Sequence, residues 1–218
     1  MVELIRGLRP ERVRANLERV REDIATAGRD PRDVEVLAAV KYVPLEELGA
    51  LAAAGVTFFG ENRAQDLVAK TAQWGAEQGV TWDFIGHLQS RKVKQVLPLV
   101  RWIHSVSSDS VLRELAKHGT AETEVLVEVN VAGDEAKSGV APAELDAFLE
   151  RVPCRVAGLM TMPPLAREPE DSRRWFAALA ELAAAHGLQQ LSMGTSQDYR
   201  VALEEGATII RLGSTLFE

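Results

Sequence analysis

Lys41 is the residue whose type and position point most directly to chemistry. It follows the apolar run VEVLAAV at residues 34–40, and of the six lysines it alone comes directly after such a run. In dry surroundings the neutral form of a lysine amine is favoured, and a neutral amine attacks carbonyl carbons. The position predicts either a nucleophile for an aldehyde or ketone, or a plain lysine that reaches solvent from the edge of a sheet.

Two glycine-containing segments near the C-terminus have residue types that suit a phosphate group. They read MGTSQD at residues 193–198 and RLGST at residues 211–215. Glycine lets the backbone approach a ligand, and hydroxyls and free N–H groups bind phosphate oxygens. Helix capping by Ser196 and a turn at Gly213 would account for the same residues without a ligand. An amine beside a phosphate site suggests a Schiff base between Lys41 and pyridoxal phosphate, with an aldolase-type Schiff-base lysine or the plain lysine as alternatives.

The elements that must position these residues are predicted to be eight strands that alternate with helices. Such alternation is typical of βαβ units and a parallel sheet. Eight of them in one chain favour a single-domain (β/α)8 TIM barrel over residues 1–218, with no linker or second domain. An open doubly wound sheet is the alternative, but its G-x-G-x-x-G segment after the first strand is absent. The predicted strands are residues 34–40, 56–59, 82–85, 102–106, 124–130, 155–159, 190–193 and 208–212.

The predicted helices include one more at the N-terminus than the barrel needs. Its apolar residues, from Val13 to Ile24, recur at spacings of three and four. Because the chain ends six residues after the last predicted strand, we expect no helix there, and we expect the N-terminal helix to pack over the gap between the last strand and the first. The other predicted helices are residues 45–54, 62–77, 90–97, 109–118, 142–152, 168–186 and 197–205.

Polar and small residues occupy the carboxyl ends of the predicted strands. In a (β/α)8 barrel the chemistry is carried at this end, and phosphate is often bound after strands seven and eight. Turns also favour the same residue types, so this enrichment by itself is weak support. In strand order the residues are Lys41; Gly60, Glu61 and Asn62; Gly86 and His87; His104 and Ser105; Asn130; Met160 and Thr161; residues 192–196; and residues 211–214.

The composition excludes several classes of function. The net charge of −7, without a dense block of Lys and Arg, disfavours broad nucleic-acid binding. Cys154 is the single cysteine, so neither an intrachain disulfide nor a thiolate metal cluster is possible within the chain. The longest stretch without a charged residue or a histidine, residues 48–60, has 13 residues, whereas a membrane span needs about 20. We therefore expect a cytoplasmic protein that binds no metal through a cysteine cluster.

Eight segments carry a resemblance to a known family. They occur in the family's order and span nearly the whole chain, and GEN and FIGHLQ are specific. On these segments the chain resembles the pyridoxal phosphate homeostasis proteins, the YggS/PROSC family, whose fold is similar to the N-terminal barrel of alanine racemase. The segments are AAVKYVP (38–44), FGENRAQD (59–66), WDFIGHLQSRK (82–92), IHSV (103–106), VEVNVAGDEAKSG (127–139), GLMTMPP (158–164), LSMGTSQDY (191–199) and IIRLGSTLF (209–217).

The resemblance implies a role for six residues in a barrel of fold type III among pyridoxal phosphate proteins. It implies that Lys41 carries the cofactor as a Schiff base and that Asn62 lies near the ring. It also implies that Ser196, Gly213 and Ser214 hold the phosphate, and that Arg211 faces the pyridine nitrogen. The function it implies is intracellular pyridoxal phosphate (vitamin B6) homeostasis, by storing the cofactor or delivering it to apoenzymes.

A weak amino-acid racemase is the alternative function, and it needs a second acid or base opposite Lys41. In alanine racemase that residue is a tyrosine from a C-terminal domain, which this chain lacks. Tyr42 is adjacent to the lysine, and we expect burial or capping for Tyr199. His87 is the better candidate for a second base, although an ordinary histidine at the barrel rim is the favoured explanation for it. Arg211 only donates hydrogen bonds, so it would keep the pyridine nitrogen unprotonated and weaken carbanion chemistry.

Two further hypotheses concern surface residues and partners. Lys137, in DEAKSG, could take up a second cofactor molecule. An RNA- or protein-binding adaptor is a third class of function, although residues 90–95 (SRKVKQ) are more typical of a solvated helix face. The other lysines, including Lys70, are expected on polar helical faces. Without the second racemase domain, we expect a monomer.

Overall fold

The computed structural model describes residues 4–74 and 78–218. Within these ranges eight parallel strands pair in chain order and form a closed barrel, so the prediction of a (β/α)8 barrel is confirmed and the open sheet is wrong. The barrel closes where β8 pairs with β1, with Arg211 opposite Leu37. The strands are β1 Glu35–Ala39, β2 Phe58–Glu61, β3 Thr81–Phe84, β4 Trp102–Val106, β5 Glu124–Glu128, β6 Arg155–Met160, β7 Gln190–Thr195 and β8 Ile209–Leu212.

Helices surround the barrel in the described parts of the chain. The predicted helix at residues 62–77 is shorter in the structure, and its predicted last three residues, 75–77, lie outside the described residues. Several other predicted helices begin with a short 3-10 turn before the α-helix proper. The α-helices are α1 Pro10–Thr26, α2 Leu48–Ala53, α3 Ala64–Thr71, α4 Val93–Val96, α5 Asp109–His118, α6 Leu145–Leu149, α7 Arg173–Ala185, α8 Tyr199–Glu204 and α9 Ser214–Phe217.

The N-terminal helix packs where the sequence predicts, but it meets a helix that was not expected. Helix α1 contacts α2, α8 and α9, so it lies over the junction of β8 and β1. The expectation of no helix after β8 is wrong, because the amides of Leu216 and Phe217 bond to the Gly213 carbonyl and form one helical turn. The buried Asn16 side chain of α1 donates to the carbonyl of Leu216 at 3.0 Å and joins the two helices.

Strand β2 begins two residues later than predicted. Gly55, at φ +92°, ends helix α2, and the amide of Val56 still bonds back to Leu51. Residues 56 and 57 therefore belong to the turn, and Gly60 and Glu61 lie within the strand rather than beyond it. An added Cβ at Gly60 would lie 2.2 Å from the end of the Leu37 side chain, so a larger residue there would require this side chain to move.

The barrel interior combines a small apolar cluster with buried polar groups. The larger apolar core lies between the strands and the helices. Inside the barrel, buried polar side chains come from four strands: Asp83, His104, Ser192 and Arg211. No helix in the described ranges is long and apolar enough to cross a membrane. The interior apolar residues are Leu37, Trp102, Leu126, Ala157, Met160 and Ile209.

Candidate functional site

Lys41 lies at the carboxyl-end rim of the barrel, two residues beyond β1. Since β1 pairs with β2 and β8, the lysine lies between the ends of those two strands. Its side chain is exposed, with Nζ 4.9 Å from the centroid of the Tyr42 ring. The dry surroundings that would favour a neutral amine are therefore absent around the Lys41 side chain, which reaches solvent as the alternative interpretation expects. The structure presents an accessible amine that a soluble aldehyde could reach.

A buried ion pair lies directly beneath Lys41. Lys70 Nζ, on α3, lies 2.6 Å from Glu61 Oε2 and donates to the carbonyl of Val40 at 2.7 Å. The expectation of a polar helical face for Lys70 is wrong, because only 7% of this residue is exposed. Its position three residues after the buried Leu67 was the available signal, since i and i+3 share a helix face. The pair fixes the backbone that leads into Lys41.

The same carboxylate holds the backbone of Asn62. Glu61 Oε1 accepts from the amide of Asn62 at 2.8 Å. Gly86 packs against this segment so closely that an added Cβ would lie 2.1 Å from the Asn62 carbonyl oxygen. The side-chain oxygen Oδ1 of Asn62 is buried and has no hydrogen-bond partner among the described residues. Because buried polar atoms are normally paired, this acceptor is suited to a donor on a ligand.

Ser196 and the loop after β8 form a small hydroxyl-and-amide cluster. The Oγ of Ser196 accepts from the amides of Gly213 at 3.1 Å and Thr215 at 3.2 Å. Its hydroxyl hydrogen has no acceptor among the described residues, so it can donate to an anion. A Cβ added at Gly213 would meet nothing within 4 Å, which leaves open space beside the exposed Ser214. These residues fit a phosphate group.

Ser196 does not cap helix α8, which was the ligand-free explanation for it. The helix begins at Tyr199, after Asp198, and has no side-chain cap. Asp198 instead accepts from the amide of Thr195 at 2.8 Å and from the hydroxyl of Ser172 at 3.0 Å. The hydroxyl of Thr195 also donates to Asp198, so it is not available to a phosphate. Hydrogen bonds to Asp198 thus hold the loop in place, and the Ser196 hydroxyl hydrogen remains available to a ligand.

Arg211 is buried in the upper part of the barrel interior, in contrast to the exposed Lys41. Its Nη1 donates to the carbonyl of Ser192 at 2.7 Å and to its Oγ at 2.6 Å. Its Nη2 donates to the carbonyl of Thr161 at 2.8 Å and contacts the sulfur of Met162 at 2.9 Å. Burial lowers the pKa of Arg211 to about 10, although the nearby Glu128 favours its charged form. The guanidinium therefore stays protonated at neutral pH and can only donate.

The ends of β3 to β6 form the other side of the barrel mouth. A cavity of about 300 Å³ opens there, lined by groups that include His87 and Glu128. His87 is exposed, which is compatible with either interpretation of this residue. Lys137 Nζ donates to the carbonyls of Met162 at 3.0 Å and Pro163 at 2.7 Å, so a second cofactor site at this lysine stays a prediction.

Tyr199 is turned away from the barrel mouth, as its expected burial implied. Only 7% of the residue is exposed, and its hydroxyl donates to Asp23 on α1. The hydroxyl is therefore engaged at the junction between two outer helices. In the described ranges no group of three or more His, Cys, Asp or Glu side chains could hold a metal ion.

Comparisons with known proteins agree with this geometry. The family model described as "Alanine racemase, N-terminal domain" matches residues 8–218. A pyridoxal phosphate homeostasis protein of Aquifex aeolicus is 39% identical over 220 residues, which cover 95% of this chain and 96% of that protein. One from Pseudomonas aeruginosa is 38% identical over 208 residues, covering 91% and 90%.

A solved structure extends the comparison to the cofactor. PipY of Synechococcus elongatus, solved with PLP bound, is similar with a TM-score of 0.78 and 31% identity. The match covers 94% of this chain and 100% of that one. With the family model and these near full-length relatives together, this chain belongs to the family of pyridoxal phosphate homeostasis proteins, whose domain is that of the alanine racemase N-terminal family.

Proposed function

We propose that this chain is a pyridoxal 5'-phosphate-binding protein that holds the cofactor as a Schiff base on Lys41 and takes part in intracellular vitamin B6 homeostasis. The observation that carries the proposal is the buried Oδ1 of Asn62, an acceptor without a partner among the described residues, at the same barrel end as an accessible amine. The names of the relatives and the PLP-bound structure of PipY support the choice of ligand.

Each proposed site residue has a separate task. Lys41 would hold pyridoxal phosphate through its amine, and the bound cofactor would supply an aldehyde for Schiff-base exchange with the amine of a recipient. Ser196 would donate its hydroxyl hydrogen to a phosphate oxygen, and the open space at Gly213 and Ser214 would admit the group. Asn62 would accept from a ring hydroxyl, and Arg211 would donate to the ring nitrogen.

A carrier fits these residues better than a racemase. The Tyr199 hydroxyl is engaged with Asp23, and Tyr42 is adjacent to Lys41 and contacts its amine with the ring. His87 is the remaining candidate for a second base. A protonated Arg211 at the ring nitrogen would leave the ring a weak electron sink, which disfavours proton removal from an amino acid.

Three finer points belong to the same proposal. The recipients of the cofactor would be apoenzymes that present a lysine amine of their own. The protein would act in the cytoplasm. Nucleic acid would not be among its partners, because the sequence lacks the charge pattern of a nucleic-acid-binding protein. It would act as a monomer, because the residues proposed for the cofactor all come from one chain.

An absorbance titration with pyridoxal phosphate tests the proposal. We expect the wild-type protein to develop a Schiff-base band, and borohydride reduction followed by peptide mass spectrometry to place the label on Lys41. Lys41→Ala should abolish the band, whereas Lys94→Ala, which removes an exposed lysine from α4, should keep it. A band of equal intensity in Lys41→Ala would refute the assignment.

Proton exchange in D2O separates the carrier from the racemase. The protein reconstituted with pyridoxal phosphate is incubated with L-alanine, and loss of the α-proton signal is followed by NMR. We expect exchange no faster than with free pyridoxal phosphate. Exchange at enzyme-like rates that depends on His87 would establish the racemase instead.

A further inference from the structure

A continuous chain of hydrogen bonds crosses the barrel interior and ends at Arg211. It begins with Arg101, at the amino end of β4, whose Nη2 donates to Asp83 Oδ2 at 2.6 Å and whose Nε donates to Oδ1 at 3.1 Å. The ring of His104 follows, with Nε2 at 3.2 Å from Asp83 Oδ2. Its Nδ1 lies 2.9 Å from Ser192 Oγ, and that oxygen also accepts from Arg211.

The chemistry of the groups fixes the direction of every hydrogen in this chain. An ionised Asp83 can only accept, so His104 must donate through its Nε2–H. In the neutral imidazole the Nδ1 atom is then an acceptor, and Ser192 donates its hydroxyl hydrogen to it. The lone pairs of the Ser192 oxygen remain for the Nη1–H of Arg211, which can only donate. All donors and acceptors along the chain are matched in this one arrangement.

The directions in which burial and hydrogen bonds shift the pKa values of Asp83 and His104 agree with this arrangement. Burial by itself raises the pKa of Asp83, but hydrogen bonds from His104 and Arg101 hold it below its usual value. Burial lowers the pKa of His104, which is fully enclosed. The side chains between Arg101 and Arg211 are thus an anionic carboxylate, a neutral imidazole and a hydroxyl.

The chain of hydrogen bonds determines which donor of Arg211 remains available. Its two Nη atoms make four contacts, to Ser192 and to residues 161 and 162. The Nε–H is the guanidinium donor without an acceptor in ranges 4–74 and 78–218. This N–H is therefore the donor that the buried Arg211 can still offer to a ligand. Fixing one edge of a planar guanidinium fixes the direction of the remaining N–H, because the group is rigid.

We propose that Asp83, His104 and Ser192 are positioning residues that hold Arg211 with its Nε–H presented to the ring nitrogen of pyridoxal phosphate. The proposal rests on the proposed function, since it names the contact that the cofactor ring makes. These polar groups inside the barrel would then help to recognise the acceptor nitrogen of the ring, in addition to any contribution they make to folding.

A comparison of two ligands tests the positioning role. The probes are pyridoxal phosphate and 1-deazapyridoxal phosphate, which has a C–H in place of the ring nitrogen. Ser192→Ala should weaken binding of pyridoxal phosphate about fivefold, the loss of roughly one hydrogen bond, and leave the dissociation constant of the deaza compound unchanged. Ser192→Thr, which retains the hydroxyl, should restore the preference for pyridoxal phosphate.

Ser105→Ala is the matched control. Ser105 is a buried β4 serine whose hydroxyl donates to the Gly86 carbonyl, outside the chain of hydrogen bonds. It should leave the ratio of the two dissociation constants as in the wild type. Equal weakening of both ligands by Ser192→Ala, or no weakening of either, would overturn the positioning role. A wild-type protein that binds neither ligand would refute the proposed function, a different outcome from either of these.

The tautomer of His104 tests the direction of these hydrogen bonds in the absence of any ligand. Nitrogen-15 NMR of the ligand-free protein at pH 7, with the signals assigned by their loss in His104→Gln, reports which ring nitrogen carries the proton. We expect a protonated Nε2 and an unprotonated Nδ1. A protonated Nδ1, or an imidazolium, would overturn the hydrogen-bond direction on which the proposal depends, even if Ser192→Ala failed to fold.

Discussion

The two ends of the barrel interior differ in how completely their polar groups are paired. At the amino end, Arg101 donates to both carboxylate oxygens of Glu35 and of Asp83, and the Asp83 carboxylate accepts four hydrogen bonds in all. At the carboxyl end, three groups lack a partner among the described residues: Asn62 Oδ1, the Ser196 hydroxyl hydrogen and Arg211 Nε–H.

The difference separates stability from ligand binding. Paired buried charges specify one arrangement of the strands and are costly to break, but they offer nothing to a ligand. Unpaired polar groups in a concave, partly enclosed place are costly to the free protein and become paired when a ligand arrives. Variants at the amino end should therefore change the free energy of unfolding, and variants at the carboxyl end should change the dissociation constant.

A large effect on stability is expected from Asp83→Asn. The change removes the buried charge that Arg101 faces and places an amide against its guanidinium. Loss of one partner of a buried ion pair costs about 3–5 kcal/mol, and urea denaturation followed by circular dichroism measures it. Glu46→Gln, which breaks the exposed Arg6–Glu46 pair, is the control and should shift the midpoint little. Similar midpoints for the two variants would contradict the contrast between the ends.

Lys70→Met tests a residue that is expected to contribute both to the stability of the fold and to cofactor binding. The substitution leaves the Glu61 carboxylate buried without its cation, so a loss of about 3–5 kcal/mol in the free energy of unfolding is expected. It also frees the Val40 carbonyl next to Lys41, so cofactor affinity should fall as well. Both quantities are measured on the same preparation. A stability loss with unchanged affinity would show that the pair supports only the fold.

Ser196→Ala should change ligand binding with little change in stability. The hydroxyl that bridges two amides is half-buried, and the amides it leaves can bind water. Loss of a hydrogen bond to an anion weakens pyridoxal phosphate binding by about 1.5–3 kcal/mol, roughly 10-fold or more. Pyridoxal without its phosphate provides the comparison, because its weaker binding should be the same in both proteins. An equal loss for both ligands would contradict the phosphate assignment.

The smallest effect is expected from His104, which lies between the two ends of the barrel interior and makes the free energy of unfolding depend on pH. Burial lowers the pKa of His104, so the imidazole is neutral in the folded protein and takes up a proton more readily when unfolded. Its contribution is complete above the unfolded value of about 6.5 and decreases as the pH falls below it. One proton limits the slope to about 1.4 kcal/mol per pH unit.

Urea denaturation at pH 7.5 and 5.5 measures this dependence. The wild-type protein should lose more stability on acidification than His104→Asn, which cannot titrate at this position. The other three histidines are common to both proteins, so their contributions cancel in the comparison. Equal losses in the two proteins would indicate that His104 has the same pKa in the folded and unfolded states.

The order of elements was predictable, whereas several of their bounds were not. Strand β4 and helix α5 agree with the predicted residues 102–106 and 109–118, because an apolar run and an N-cap at Ser108 mark them locally. Helix α9 was missed because its single turn depends on α1 covering it. Strand β2 was placed too early because Val56 and Thr57 have strand-forming side chains, whereas their backbone belongs to the turn and the Val56 amide still bonds to Leu51.

The candidate site was predictable only in part. The resemblance indicated six cofactor residues, and they lie at the predicted barrel end. Glu61 and Ser192 were named only as residues at strand ends, and Lys70 was expected on a polar helical face. The contacts by which they orient the segment before Lys41 and the Arg211 side chain were not predicted. A charged or polar residue inside a helix or strand has the same local pattern whether it faces solvent or a buried partner on another element, such as Glu61 for Lys70 or Ser192 for Arg211.

The sequence by itself determined the alternation of strands and helices, the absence of a disulfide within the chain, and the residues at the strand ends. Local periodicity and composition are sufficient for these properties. The tertiary structure decided that Lys41 is exposed, that Lys70 is buried, and that a line of polar groups crosses the barrel to Arg211. The reason is that burial and hydrogen-bond direction depend on the closure of the barrel, which brings together groups from β3, β4, β7 and β8.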